Sequence, residues 1–226
     1  MKLAIPFALG SVCLSFGLVA AAVAADHAYV VSYIEAEPST QSDAADLFRR
    51  FARESRKDAG SVRFEVLQRI GHPDQFAVLE EWADTKAREA HGAAAHTQLF
   101  RANLKPLLRA PYDERPHLTL AVGPAQKSAK GAVYVVTHVD VVPKAKDEGA
   151  EAVRQLTAAS RSEADNLRFD SLTQASRPNH MTLVEVWKDR KAVIAHSASD
   201  DTRKFRDKLG PLTGALLDER FYRLLD

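Results

Sequence analysis

The feature that most constrains this chain is that it repeats itself. Shifted by 105 positions, Tyr29-Val30-Val31 falls on Tyr134-Val135-Val136, and Pro38 falls on Pro143. Arg56 matches Arg161, Arg63-Phe64 matches Arg168-Phe169, and Pro73 matches Pro178. Glu80, Trp82 and His91 recur as Glu185, Trp187 and His196. Phe100-Arg101, Leu104 and Pro106-Leu107 recur as Phe205-Arg206, Leu209 and Pro211-Leu212, and Asp113-Glu114-Arg115 as Asp218-Glu219-Arg220. The register needs no gap from 28 to 225. A spacing of 105 residues is far too long for a solenoid repeat and is the length of a whole small domain. The chain therefore divides into residues 26–122 and 132–226, two copies of one domain joined by a small, polar linker, 123–131, that lacks apolar periodicity.

Each copy predicts the same order of elements. Tyr29–Glu37 reads as a strand that Pro38 stops. Residues 40–57 carry Ala44, Leu47, Phe48 and Phe51 at helical spacing, with Gly60 beyond the end. Val62–Ile70 and Gln75–Trp82 form a hairpin about Gly71-His72-Pro73-Asp74. Asp84 caps a helix to about Ala95, Thr97–Leu108 is helical again, and residues 115–122 close as a strand. The order βαββαβ is the split βαβ, or ferredoxin-like, arrangement of the α+β class. Its helices cover one sheet face and leave the other bare. The strands are apolar on both faces, Phe76, Val78 and Trp82 on one and Ala77 and Leu79 on the other. A bare apolar sheet is a sticky patch in water, and packing the two sheets together removes it. The expectation is an intramolecular pseudo-dimer, with further homo-oligomerisation open.

Residues 1–25 are different material. Lys2 precedes an almost wholly apolar run, and Ala22-Val23-Ala24 places small residues where a signal peptidase reads. Pro6, Gly10 and Gly17 interrupt the run, which favours a cleaved signal over a membrane anchor. The expected location is periplasmic or secreted, with no membrane attachment after cleavage. Cys13, the only cysteine, lies within this segment, so the mature chain has no thiol for a disulfide, a metal or catalysis. Loss of Lys2 from 31 basic residues leaves 30 against 30 acidic ones. A neutral chain without basic runs argues against nucleic-acid binding.

The E-x-W at the end of the third strand, the Ala-His of the next helix, and the later Phe and Pro-Leu resemble the antibiotic biosynthesis monooxygenase (ABM) family, in both copies. The resemblance implies a dimeric α+β barrel, here closed within one chain. It further implies cofactor-free oxygenation of a small electron-rich aromatic such as a quinol by O2. Other members of this group degrade haem or have no known role, so a non-catalytic ligand-binding or stress-related module stays open.

The repeated residues have two readings each. Glu80 and Glu185 share a strand face with Trp82 and Trp187, and a carboxylate there needs a partner. Arg63 and Arg168 on the neighbouring strand are candidates; the alternative is a base with raised pKa. Trp82 and Trp187 are core residues or an aromatic wall for a flat substrate. His91 and His196 hydrogen-bond to a backbone carbonyl or to the Glu, or they take a proton from a phenol. Phe100 and Phe205 complete the candidate pocket between helices and sheet.

Two histidines break the symmetry. His96 corresponds to Asp201, and His138 replaces Tyr33; each is a candidate pocket residue of one copy only. In haem-degrading relatives a helix histidine near His96 ligates iron and a first-strand Asn assists, but Ser32-Tyr33 and Thr137-His138 stand here without an Asn. No metal is expected: His91 and His96 are five apart, which puts them on different faces of one helix, and no H-E-x-x-H occurs. Without G-x-G-x-x-G or a P-loop, no nucleotide or flavin site is expected either.

Overall fold

A computed structural model describes residues 27–124 and 131–225. The apolar N-terminal run and most of the linker lie outside the described residues. The first copy contains β1 (Ala28–Glu35), α1 (Gln41–Ser55), β2 (Ser61–Arg69), β3 (His72–Trp82), α2 (Thr85–Ala93), α3 (Ala95–Leu104) and β4 (Asp113–Ala121). The second repeats this as β5 (Val133–Asp140), α4 (Lys146–Ser160), β6 (Asn166–Gln174), β7 (His180–Trp187), α5 (Arg190–Ser197), α6 (Asp200–Leu209) and β8 (Asp218–Leu224).

Local signals account for the boundaries. Asp84 and Asp189 cap α2 and α5, accepting from the backbone N–H of Ala87 at 2.7 Å and of Ala192 at 3.0 Å. Gly60, at φ 79°, turns the chain between α1 and β2, where an added Cβ would lie 2.5 Å from that of Ala87. Gly71, at φ 81°, makes the β2–β3 hairpin turn.

All eight strands form one closed barrel in the order β1-β3-β2-β8-β5-β7-β6-β4. The two sheets do more than face each other: their edges hydrogen-bond, β2 to β8 through Leu67↔Leu224 and β4 to β6 through Leu118↔Thr173. Closure leaves no unpaired strand edge in the barrel. The period-two alternation then sorts side chains as the sequence predicts. Phe76, Val78 and Trp82 meet Phe48, Phe51 and Phe100 under the helices of the first copy. Val139, Met181 and Trp187 do the same in the second. Ala77 and Leu79 point inward with Tyr29, Val31, Leu67, Tyr134, Val136, Val184 and Tyr222 from both copies.

Polar groups inside the barrel join the halves crosswise. Arg168 Nη2 donates to Glu65 Oε2 at 2.8 Å, which also accepts through Oε1 from Tyr134 Oη at 2.9 Å. Arg63 lies 3.1 Å from Glu81 and 3.3 Å from Asp170. Since Glu65 and Asp170 occupy equivalent positions, each copy gives an arginine to the other's carboxylate.

Candidate functional site

The E-x-W pair closes on itself. Trp82 Nε1 donates to Glu80 Oε2 at 2.9 Å, and Trp187 Nε1 donates to Glu185 Oε2 at 2.8 Å. The expected partners Arg63 and Arg168 are instead inside the barrel, because residues of odd and even register face opposite sides of the sheet. Burial pushes both carboxyls up, each to about 7, with the hydrogen bond from the tryptophan opposing it.

Both tryptophans are fully buried. One face of each is covered by the helix histidine, His91 on Trp82 and His196 on Trp187, with ring centroids 4.5 Å apart in both cases. A fully enclosed ring is a packing element rather than the exposed wall that the sequence allowed. His91 and His196 are themselves 6% exposed, and each takes an acid from the loop after the first helix of its copy. His91 Nδ1 lies 2.7 Å from Asp58 Oδ2, and His196 Nδ1 lies 2.7 Å from Glu163 Oε1. The strand Glu that the sequence offers is near only in the second copy, where His196 Nε2 lies 3.7 Å from Glu185 Oε2; the loop acid is a partner the sequence reading does not name. The signal was present, since Asp58 and Glu163 correspond under the 105-residue shift. Burial depresses the His91 pKa, with the Asp58 hydrogen bond opposing it.

The copies part company at His96. His91 ends α2 and His96 begins α3, and the extended Ala94 between them (ψ 143°) breaks the helix. The two rings are therefore not on opposite faces of one helix. They converge, with His96 Nε2 3.2 Å from the same Asp58 oxygen and ring centroids 5.5 Å apart. Thr97 Oγ1 stands 3.4 Å from both His91 Nδ1 and His96 Nε2. Asp58, His91 and His96 place three potential metal-binding atoms within 4.8 Å of one another.

His96 also lines a cleft of about 190 Å³ between α1 and α3, with Leu47, Phe51, Leu99 and Phe100 as apolar walls and Arg50, Glu54 and Asn103 at its edge. Phe51 and Phe100 stack there, centroids 3.7 Å apart and planes 2° from parallel. Under the 105-residue shift these positions become Ala152, Leu156, Lys204 and Phe205, with Asp201 for His96 and Lys208 for Asn103. Phe205 is buried, while Lys208 Nζ donates to Gln155 across the corresponding groove at 3.3 Å. The second copy keeps the fold and the apolar floor of Leu156 and Phe205, but Lys204, Lys208 and Asp201 stand in place of Leu99, Asn103 and the imidazole.

Tyr33 and His138 belong elsewhere. They meet edge to face, 4.9 Å apart, from opposite copies, with the Arg115 and Arg220 guanidiniums 4.9 and 5.4 Å from the Tyr33 ring centre. His138 borders a polar cleft of about 500 Å³ with Asp113, Arg115, Asp218 and Arg220. Burial, with both arginines nearby, lowers His138 to about 4. His117, which sequence reasoning passed over, is buried between the Arg115 carbonyl at 2.7 Å and Thr182 Oγ1 at 2.9 Å.

Comparison with known proteins agrees with this architecture. The profile of the family described as "Antibiotic biosynthesis monooxygenase" matches residues 28–103 and again 132–208. "Putative monooxygenase YcnE" of Bacillus subtilis (strain 168) is 30% identical over 82 residues, which is 36% of this chain and 86% of that protein. Among solved structures, a "Putative monooxygenase" of Fusobacterium nucleatum superposes with TM-score 0.81 at 15% identity, covering 89% of this chain and 94% of its own. An "anthrone oxidase-like protein" superposes with TM-score 0.66 at 12% identity, covering 88% and 91%. These two likenesses concern the fold. The double match, carried by both halves of a single closed barrel, places the chain in the antibiotic biosynthesis monooxygenase family.

Proposed function

We propose that this chain is an exported monooxygenase that oxidises a small electron-rich aromatic, such as a quinol, in the apolar cleft of its first copy. The observation that carries the reading is the placement of His96. It lies on the rim of a cleft walled by Phe51 and Phe100, with its Nε2 on Asp58. Asp58 accepting from Nε2–H leaves the Nδ1 lone pair to take a phenolic proton. The apolar lining, Leu47 and Leu99 with the edges of the stacked Phe51 and Phe100, suits an apolar ring. The resulting anion is electron-rich enough to reduce O2 itself. One oxygen atom enters the ring, the other leaves as water, and the quinol supplies all four electrons in becoming a hydroxyquinone. No organic cofactor is required by that balance.

The second copy is read as scaffold, since Lys204, Lys208 and Asp201 replace the lining that the substrate would meet. Export rests on the apolar run after Lys2 and the small residues at 22 and 24. Family membership and the names of the relatives support oxygenase chemistry in general, and the cleft supports the aromatic substrate.

The test is O2 uptake by the mature chain with a panel of mono- and bicyclic quinols. Turnover is expected, with a loss of about 10²-fold in His96→Ala and none in Asp201→Ala. Absence of uptake across the panel, or full activity in His96→Ala, would overturn the proposal and leave a ligand-binding module.

A further inference from the structure

We infer that Asp58, His91 and His96 form a binding site for one first-row divalent transition-metal ion in the first copy. The donor set is two imidazole nitrogens and one carboxylate oxygen, which suits Zn²⁺, Fe²⁺, Co²⁺ or Ni²⁺ better than Mg²⁺ or Ca²⁺. The atoms are already gathered. Asp58 Oδ2 is 2.7 Å from His91 Nδ1 and 3.2 Å from His96 Nε2, and all three lie within 4.8 Å of one another. Bonds of about 2.0–2.2 Å need donors roughly 3.3 Å apart for tetrahedral angles, so the Asp58 oxygen has to draw back from His91 by about half an ångström while the two imidazole nitrogens, within 4.8 Å of each other, close on the ion.

The anchor is rigid and the mouth is open. His91 is held by stacking on the buried Trp82. Asp58 and His96 have side chains 23% and 27% exposed, which gives an ion a path inward and leaves positions for water. Thr97 Oγ1, 3.4 Å from both ligating nitrogens, is placed to orient the imidazoles or a bound water.

The second copy supplies the comparison within the same molecule. It has the histidine–acid pair, His196 with Glu163 at 2.7 Å, so that pair alone is a structural device common to both halves. The third donor is missing there: Asp201 occupies the position of His96 and pairs with Lys204 at 3.4 Å. What distinguishes the first copy is therefore the second imidazole, which completes a triad. An ion held there occupies the Nε2 lone pair of His96, so metal-loaded and proton-accepting chains are alternative states. The inference rests on the donors alone and not on the oxidation chemistry.

The experiment uses the mature chain, free of any affinity tag and stripped with EDTA. Co²⁺ is titrated in, followed by its visible ligand-field bands, and Zn²⁺ binding is measured by calorimetry. One equivalent is expected per chain. His96→Asp, which installs the residue type of the second copy, and Asp58→Asn are each expected to weaken binding at least 10-fold, with circular dichroism confirming the fold. Asp201→Ala is expected to bind as the parent does. Absence of stoichiometric binding below about 1 mM, or parental affinity in either ligand variant, would overturn the assignment.

Discussion

Arg168 of the second copy donates to Glu65 of the first at 2.8 Å, inside the barrel, where both side chains are about 5% exposed. Two charges so enclosed depend on each other, because removing Arg168 takes from Glu65 the buried cation that offsets its desolvation. Arg168→Met is expected to destabilise the chain by about 3–5 kcal/mol. The double variant Glu65→Leu/Arg168→Met is expected to recover most of that loss. Denaturant melts of the parent, single and double variants measure both, and additive losses would show that the pair does not act as a unit.

The raised carboxyls of Glu80 and Glu185 make stability depend on pH. Their folded pKa values, about 7, lie above the ordinary carboxylate value of 4.5, so the folded state binds the proton more tightly. That contribution is fully present below about pH 4.5 and is lost as pH rises through 7. Other groups titrate nearby, notably His117 and His138, which burial lowers to about 4. The comparison must therefore be made against a variant. Glu80→Gln keeps an acceptor for Trp82 Nε1 and cannot ionise. Relative to the parent, its stability is expected to improve from pH 5 to about pH 7 and to level off above that, as followed by urea midpoints.

The asymmetry of the two clefts gives a prediction about substrate. Leu99 lines the first cleft, and its counterpart is Lys204. Leu99→Lys places a charge at a wall that an apolar ring must cover. KM for an active quinol is expected to rise about 10-fold or more, the scale of one lost apolar contact, with kcat changed less. The mirror substitution Lys204→Leu is expected to leave steady-state kinetics as they are. Initial rates of O2 uptake against substrate concentration separate the two parameters.

Gly60 offers a test of how the site is held. Its φ of 79° and the 2.5 Å approach of an added Cβ to Ala87 mean that Gly60→Ala pushes the turn away from α2. A loss on the order of 1–3 kcal/mol is expected, read from thermal or chemical melts. Since α2 carries His91, loss of metal binding is expected to accompany it.

The fold was far more legible in the residues than the site. The 105-residue register, the alternation of Phe76 and Val78 with Ala77 and Leu79, and the Asp84 cap state the barrel in local terms. Even so, the crosswise arginines were hidden by the duplication itself. Arg63 and Arg168 each have two equivalent carboxylates to choose from, and spacing does not say which copy supplies the partner. The His91–Asp58 contact spans 33 residues, so no helical or strand period points to it. The convergence of His91 and His96 depends on one extended residue, Ala94, which carries no breaker signal of its own beyond the nearby Gly92. The sequence places the break near His96 rather than at Ala94, and counting five positions as though both rings sat on one helix separated two rings that the break brings together.

Joining the halves through one short connection changes the order of their assembly reaction. A barrel made from two separate chains dissociates on dilution, and the fraction closed depends on how much protein surrounds it. Here the tether holds each half at an effective concentration in the millimolar range for the other, so closure is unimolecular. The same fraction of intact molecules should persist in the most dilute surroundings as in the most crowded.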